Sequence, residues 1–205
     1  MNSLDFNLTN AQARCIKEIN DDLASSEPML RLLQGDVGSG KTIVAVFALI
    51  QAVENNFQAA IMAPTEILAR QHLQNFTQYL KSLNIQIAYL SGSQNTQERR
   101  EQISLIESGK AKVVIGTHAL FQESVSFKDL SLVIIDEQHK FGVHQRLYLS
   151  KKANKTPHQL VMTATPIPRS LTMSAYADLD TSIIDELPPG RQAVDTIALS
   201  NARRD

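Results

Sequence analysis

Met29-Leu30-Arg31-Leu32-Leu33-Gln34 runs directly into Gly35-Asp36-Val37-Gly38-Ser39-Gly40-Lys41-Thr42, and this junction decides the fold. The first six residues are an apolar run of strand length that ends at a glycine turn. The next eight match the pattern G-x-x-x-x-G-K-[ST]. Residues 42–54 then read as a helix. A strand, a glycine-rich turn and a helix in that order form a phosphate-binding loop. Gly35, Gly38 and Gly40 let backbone N–H groups approach an anion where a Cβ would intrude, and Ser39 lies among these donors. The helix aims the positive end of its dipole at the same point. Lys41 reaches the β- and γ-phosphates of a nucleotide, and the Thr42 hydroxyl ligates Mg2+.

Working outward, residues 59–63 form an apolar strand ended by Pro64. Residues 66–82 form a helix with Ile67, Ala69, Leu73, Phe76 and Leu80 near one face, at three- and four-residue steps. A strand follows over 85–90, then a helix over 96–108 that stops at Gly109. Further strands fall at 112–116, 131–135 and 158–162. Upstream, Thr9 N-caps a helix in which Ile16, Ile19 and Leu23 keep helical spacing. After Pro188-Pro189-Gly190, residues 193–199 are weakly strand-like. Alternating strands and helices, with near-continuous Val/Ile/Leu strands, predict an α/β fold whose parallel sheet is covered on both faces. Such sheets bind ligands beyond the carboxyl ends of their strands.

The remaining unusual residues cluster at those ends. Leu132-Val133-Ile134-Ile135 is followed by Asp136-Glu137-Gln138-His139. Asp136 is placed to hold magnesium, directly or through water, and Glu137 to orient and deprotonate an attacking water. An acidic pair at a strand end is common on its own. After a phosphate loop it has a meaning, because nucleotide hydrolysis needs both parts. The Gln12 amide can pair with an adenine edge, donating and accepting, and Phe6 can stack on the base. Pro64-Thr65-Glu66 and Gly116-Thr117-His118 each follow a strand and open a helix, which suits contact with a nucleic-acid backbone. Ordinary N-capping by Thr65 and Thr117 is the simpler reading. Thr163 and Thr165 are hydroxyls at a strand end. They can bond the 136–139 segment and relay nucleotide state, or merely close a turn.

Composition narrows the class. The chain has 205 residues, 43% hydrophobic and 20% charged, which excludes disordered and low-complexity proteins. Twenty basic and 21 acidic residues leave a net charge of -1, so no global field captures nucleic acid. Cys15 is the single cysteine and fits a reducing compartment. The longest strongly apolar run, residues 43–50, falls short of the roughly 18 residues that a membrane span needs. Residues 1–5 do not begin a signal peptide. The expectation is a cytoplasmic protein with no membrane contact. Five histidines (His72, His118, His139, His144 and His158) form no metal pair at helical spacing, so no zinc site is expected.

In order along the chain, Phe6-x-Leu-Thr-x-Ala-Gln12, the phosphate loop, Ala63-Pro-Thr-Glu66, Gly116-Thr-His-Ala-Leu120, Ile134-Ile-Asp-Glu-Gln-His139, Thr163-Ala-Thr-Pro-Ile-Pro-Arg169 and Asp185-Glu-Leu-Pro-Pro-Gly-Arg191 resemble the RecG-type ATP-dependent DNA helicases of superfamily 2. Transcription-repair coupling factors are a related reading, but they usually carry Asp-Glu-Glu-His. Lys140 stands where the family has arginine; it keeps the charge and loses the planar fork.

The resemblance implies a P-loop NTPase lobe of the RecA-like three-layer type over residues 1–191. Residues 192–205 would begin the connection to a second motor lobe, which with a wedge domain would lie outside this chain. It implies ATP and Mg2+ as cofactors, and a nucleotide site of Gln12, Gly38, Gly40, Lys41, Thr42, Asp136, Glu137 and His139. Strand contacts or coupling would fall to Thr65, Thr117, His118, Thr163, Thr165 and Arg169. The full-length protein would act as a monomer on branched or single-stranded DNA, driving fork regression and branch migration in repair and recombination. The runner-up reading is a nucleotide-switched binding module that needs no second lobe.

Overall fold

The structure is a computed structural model that describes residues 7–136, 156–165 and 179–186. The elements run α1 (Asn10–Leu23), β1 (Leu30–Gly35), α2 (Lys41–Glu54), β2 (Gln58–Met62), α3 (Glu66–Leu80), β3 (Ile87–Leu90), α4 (Thr96–Glu107), β4 (Val113–Gly116), β5 (Leu130–Asp136), β6 (His158–Thr163) and β7 (Asp180–Ile184). Short 3-10 turns follow α3 and β4. The seven strands form one sheet in the order β3-β4-β2-β5-β6-β1-β7. Every pairing is parallel. This is the α/β fold with a parallel sheet that the sequence predicts. Among the described residues no helix is long and apolar enough to cross a membrane.

Strand alternation sorts the core onto two faces. Ala59, Ile61, Leu132 and Ile134 join the core that α1, α2 and the buried side of α3 cover. Ala60, Met62, Val133 and Ile135 point the other way, into a second core with Ile106 of α4 and the 119–127 connection. Burying such a side chain stabilises the fold by roughly 1.5–3 kcal/mol, so a polar strand residue on either face needs hydrogen-bond partners of its own. Helix α2 is apolar over most of its circumference because α1 lies over it. Seven of its residues are buried: Ile43, Val44, Ala45, Val46, Ala48, Leu49 and Ala52. Cys15 sits in the α1–α2 contact, and burial pushes its thiol up to about 11, so it stays protonated at neutral pH.

The helix ends follow their local signals. Thr9 and Gln12 form a capping box at the start of α1, Thr65 caps α3, and Asn95 caps α4. Gly109, at φ +71°, takes the left-handed position after α4.

Two expectations need correction. Ile67 does not lie on the buried face of α3; it is 81% exposed. Ala69, His72, Phe76 and Leu80 form that face. At 3.6 residues per turn, Ile67 falls roughly 160° away from them. The strand β7 was not expected, because Asp180-Thr-Ser-Ile-Ile184 has few apolar residues. It is an edge strand whose polar side chains are held from the rest of the fold. The Arg31 guanidinium of β1 donates to Asp22 Oδ2 (2.7 Å) and Ser182 Oγ (3.0 Å), and Ser182 Oγ donates to Glu18. The weak strand signal at 193–199 lies outside the described residues.

One polar knot ties the amino-terminal edge of the sheet. Gln58 is fully buried at the start of β2. Its Oε1 accepts from the amides of Lys128 (2.8 Å) and Asp129 (3.0 Å). Its Nε2 donates to the carbonyls of Ile106 (2.9 Å) and Ala111 (2.8 Å). Each buried polar group left unpaired costs about 1–3 kcal/mol. Gln58→Leu therefore lowers stability by roughly 2–5 kcal/mol, read from the urea midpoint at unchanged slope; a shift below 1 kcal/mol would mean that water replaces these bonds.

Candidate functional site

The parallel register aligns the candidate residues. Gln34 of β1 pairs with Thr163 of β6, and Met162 of β6 pairs with Asp136 of β5. Gly35, Thr163 and Asp136 therefore end three adjacent strands on the same edge. At about 4.8 Å between neighbouring strands, the phosphate loop and Asp136 lie roughly 10 Å apart. That distance accommodates a phosphate group and a hydrated cation between them.

The loop from Gly35 to Gly40 is closed by its own hydrogen bonds. Asp36 Oδ1 accepts from the Val37 amide (2.7 Å), and the Asp36 carbonyl accepts from Ser39 N (3.1 Å). Gly38 and Gly40 have φ of +77° and +91°, a region that costs a side-chain-bearing residue strain. A Cβ on Gly40 would also fall on the Gln12 amide. Lys41 turns back across the loop, where Nζ donates to the carbonyls of Gly35 (2.7 Å) and Asp36 (3.0 Å). Thr42 is half-buried in the first turn of α2. The Ser39 hydroxyl is buried with no hydrogen-bond partner among the described residues.

Gln12 bonds within the protein. It is 3% exposed, and its amide joins α1 to the loop. Nε2 donates to the Ser39 carbonyl (2.8 Å), and Oε1 accepts from Thr9 N (3.0 Å). In this arrangement both ends of the amide are engaged within the protein, so its first structural role is to hold the loop.

The candidate strand contacts divide. Thr65 is exposed, and its hydroxyl caps α3 by accepting from Leu68 N (3.3 Å). His118 is exposed. Thr117 is only 2% exposed; its hydroxyl is buried, has no hydrogen-bond partner among the described residues and makes no capping bond, which corrects the N-capping reading of Thr117. Close packing causes this: a Cβ on the preceding Gly116 would strike the Leu90 carbonyl. Thr163 and Thr165 bond each other, Oγ1 to Oγ1 at 2.9 Å, and Thr163 Oγ1 accepts from Thr165 N (3.2 Å). That is a hydroxyl-closed turn at the end of β6. Beside Thr65, the Glu66 carboxylate accepts from Ser93 N (3.0 Å) and Ser93 Oγ (2.6 Å). The Ser93 hydroxyl holds it below the usual carboxylate range. Phe6, Glu137, His139, Lys140 and Arg169 lie outside the described residues.

Sequence reasoning missed one residue at the site. His72 Nε2 lies 2.7 Å from Asp136 Oδ2. A polar residue on the buried stripe of α3 was the available signal, and assigning Ile67 to that stripe concealed it.

The donor set fits a nucleotide with magnesium. Magnesium takes oxygen donors from one or two side chains, completes its shell with water and phosphate, and needs no protein cage. Thr42 and Asp136 are such donors. Among the described residues no group of three or more His, Cys, Asp or Glu could hold a metal ion. The orphaned Ser39 hydroxyl and the left-handed glycines are what an anion-binding loop requires.

Residues 9–174 match the family model for the DEAD/DEAH box helicases. The ATP-dependent DNA helicase RecG of Haemophilus influenzae is 56% identical over 98% of this chain, and the chain covers 30% of that protein. RecG of Escherichia coli K12 is 55% identical, with the same coverage. The chain thus spans under a third of the length of these relatives. Among solved structures, RecG bound to a three-way DNA junction superposes with a TM-score of 0.82 at 49% identity, over 94% of this chain and 26% of that one. The DEAD-box helicase Mss116 bound to single-stranded RNA shares the fold, with a TM-score of 0.69 at 19% identity over 89% of this chain and 41% of that one. The fold is therefore RecA-like. The chain belongs to the DEAD/DEAH box helicase family, and its likeness within that family is to RecG.

Proposed function

We propose that this chain is the first, ATP-binding motor lobe of a RecG-type DNA helicase, occupying residues 1–191. The observation that carries the reading is the alignment of the phosphate loop and Asp136 on one edge of a rigid parallel sheet. The N–H groups of the loop and the first turn of α2 bind the phosphates. The Lys41 ammonium exchanges the carbonyls of Gly35 and Asp36 for the β- and γ-phosphate oxygens. Thr42 and Asp136 hold magnesium, which neutralises charge developing on the phosphates. Glu137 orients and deprotonates the attacking water, and His139 senses the γ-phosphate side of the site. Phe6 stacks on adenine, and Gln12 ties the base side to the loop through Ser39.

Contact with the nucleic acid, or coupling to it, falls to Thr65, Thr117, His118, Thr165 and Arg169, and Thr163 links that side to the nucleotide. The likeness to a RecG that binds a three-way junction supports branched DNA as the substrate of the longer protein, with branch migration and fork regression as its work. A second lobe would supply the transition-state arginine, a contribution worth about 10³-fold or more in rate. The 205-residue chain alone binds ATP–magnesium and hydrolyses it slowly, without unwinding DNA.

Three variants test this reading. Lys41→Ala abolishes binding of a fluorescent ATP analogue to this chain; retained binding would remove the phosphate-loop assignment. Glu137→Gln keeps that binding and lowers turnover by about 10²–10⁴-fold, measured as phosphate release in a protein that carries this lobe and its successor. Gln12→Ala unpairs the Ser39 carbonyl, lowering stability by roughly 1–2 kcal/mol and weakening nucleotide binding. Unchanged affinity in Gln12→Ala would separate α1 from the nucleotide site.

A further inference from the structure

Asp136 does not stand alone at the end of β5. The His72 side chain is 9% exposed and the Asp136 side chain 14%, so their 2.7 Å contact is largely shielded from water. The ring is fixed on its other side by Phe76, which is fully buried and meets it edge-on, with centroids 6.0 Å apart and planes at 66°. Its remaining nitrogen, Nδ1, is buried with no hydrogen-bond partner among the described residues. A carboxylate oxygen accepts, so in this contact the ring donates from Nε2. The ring is thus built to donate one bond, to one oxygen of Asp136.

The geometry points to His72 as a positioning residue for the nucleotide-site metal. This rests on the reading of Asp136 as the magnesium carboxylate. By holding Oδ2, His72 fixes the rotamer of Asp136 and leaves the other oxygen to face the ion or its water. A carboxylate at a strand end has two free side-chain torsions, and an unheld one must be ordered each time the ion binds. Partners that orient metal ligands in this way typically account for about 10–100-fold in metal affinity. The position of His72 on α3 suits the role. It lies two turns beyond Thr65, on the helix that follows β2, and β2 is the hydrogen-bonded neighbour of β5.

The test is a Mn2+ titration followed by electron paramagnetic resonance, on the 205-residue chain with AMP-PNP, alongside thermal melts. Asp136→Asn sets the reference for a lost ligand. His72→Leu and His72→Phe should weaken Mn2+ binding by about 10-fold while leaving metal-free AMP-PNP affinity unchanged. His72→Gln, which keeps an N–H at a similar reach, should recover most of that loss. If His72→Leu fails to fold, the Phe and Gln variants carry the comparison. Wild-type Mn2+ affinity in the Leu or Phe variant, with Asp136→Asn weakened, would overturn the positioning role and leave the Asp136 reading intact. Equal weakening in Phe and Gln variants would also overturn it, because the donated bond would then not be what matters. No effect in Asp136→Asn would remove the Asp136 reading, and this inference with it.

Discussion

Parallel hydrogen bonding among β1, β6 and β5 is the constraint on which the rest depends. Because all three strands run the same way and in register, their carboxyl ends emerge together. The phosphate loop, the Thr163 turn and Asp136 are then neighbours without any loop having to reach. Parallel strands are stable only when both faces are covered. The two cores are thus the condition for the site as well as for the fold. Ile134 and Ile135, one on each face, lead straight to Asp136.

Helix α1 does more than shield α2. Its capping box fixes Gln12, and Gln12 in turn holds the Ser39 carbonyl at 2.8 Å. Gly40 must be glycine both for its left-handed φ and because the Gln12 amide occupies the place of its Cβ. At its other end α1 joins the sheet edge. Arg14 donates to the Ile183 carbonyl and to Asp185, each at 2.9 Å, and Glu18 and Asp22 surround Arg31. Arg31 is mostly buried among carboxylates, a cluster that is destabilising if one partner is removed. One helix therefore connects the phosphate loop to edge strand β7.

The legible parts of the molecule are those whose signal is local. The phosphate loop, the caps at Thr9 and Thr65, the stop at Gly109 and the strand before Asp136 are each specified by a few adjacent residues. Strand β7 was illegible because its polar side chains are satisfied by α1 and β1, not by its own pattern. Ile67 misled because its apolar side chain lies on the face of α3 opposite the buried stripe, while the polar His72 occupies the stripe itself. Thr117 read as an N-cap because nothing adjacent in the chain reveals that Leu90 and Leu120 close over Gly116.

The sequence by itself determined the order of elements, the phosphate loop and the acidic residue at a strand end, since these depend on spacing and on backbone freedom at single glycines. Only the tertiary structure decided that β6 lies between β1 and β5, that Gln12 serves the loop, and that His72 holds Asp136. The reason is distance along the chain. His72 and Asp136 are 64 residues apart, and Gln12 and Ser39 are 27 apart. Periodicity says which face a residue occupies, but which residue meets it there depends on how the layers stack.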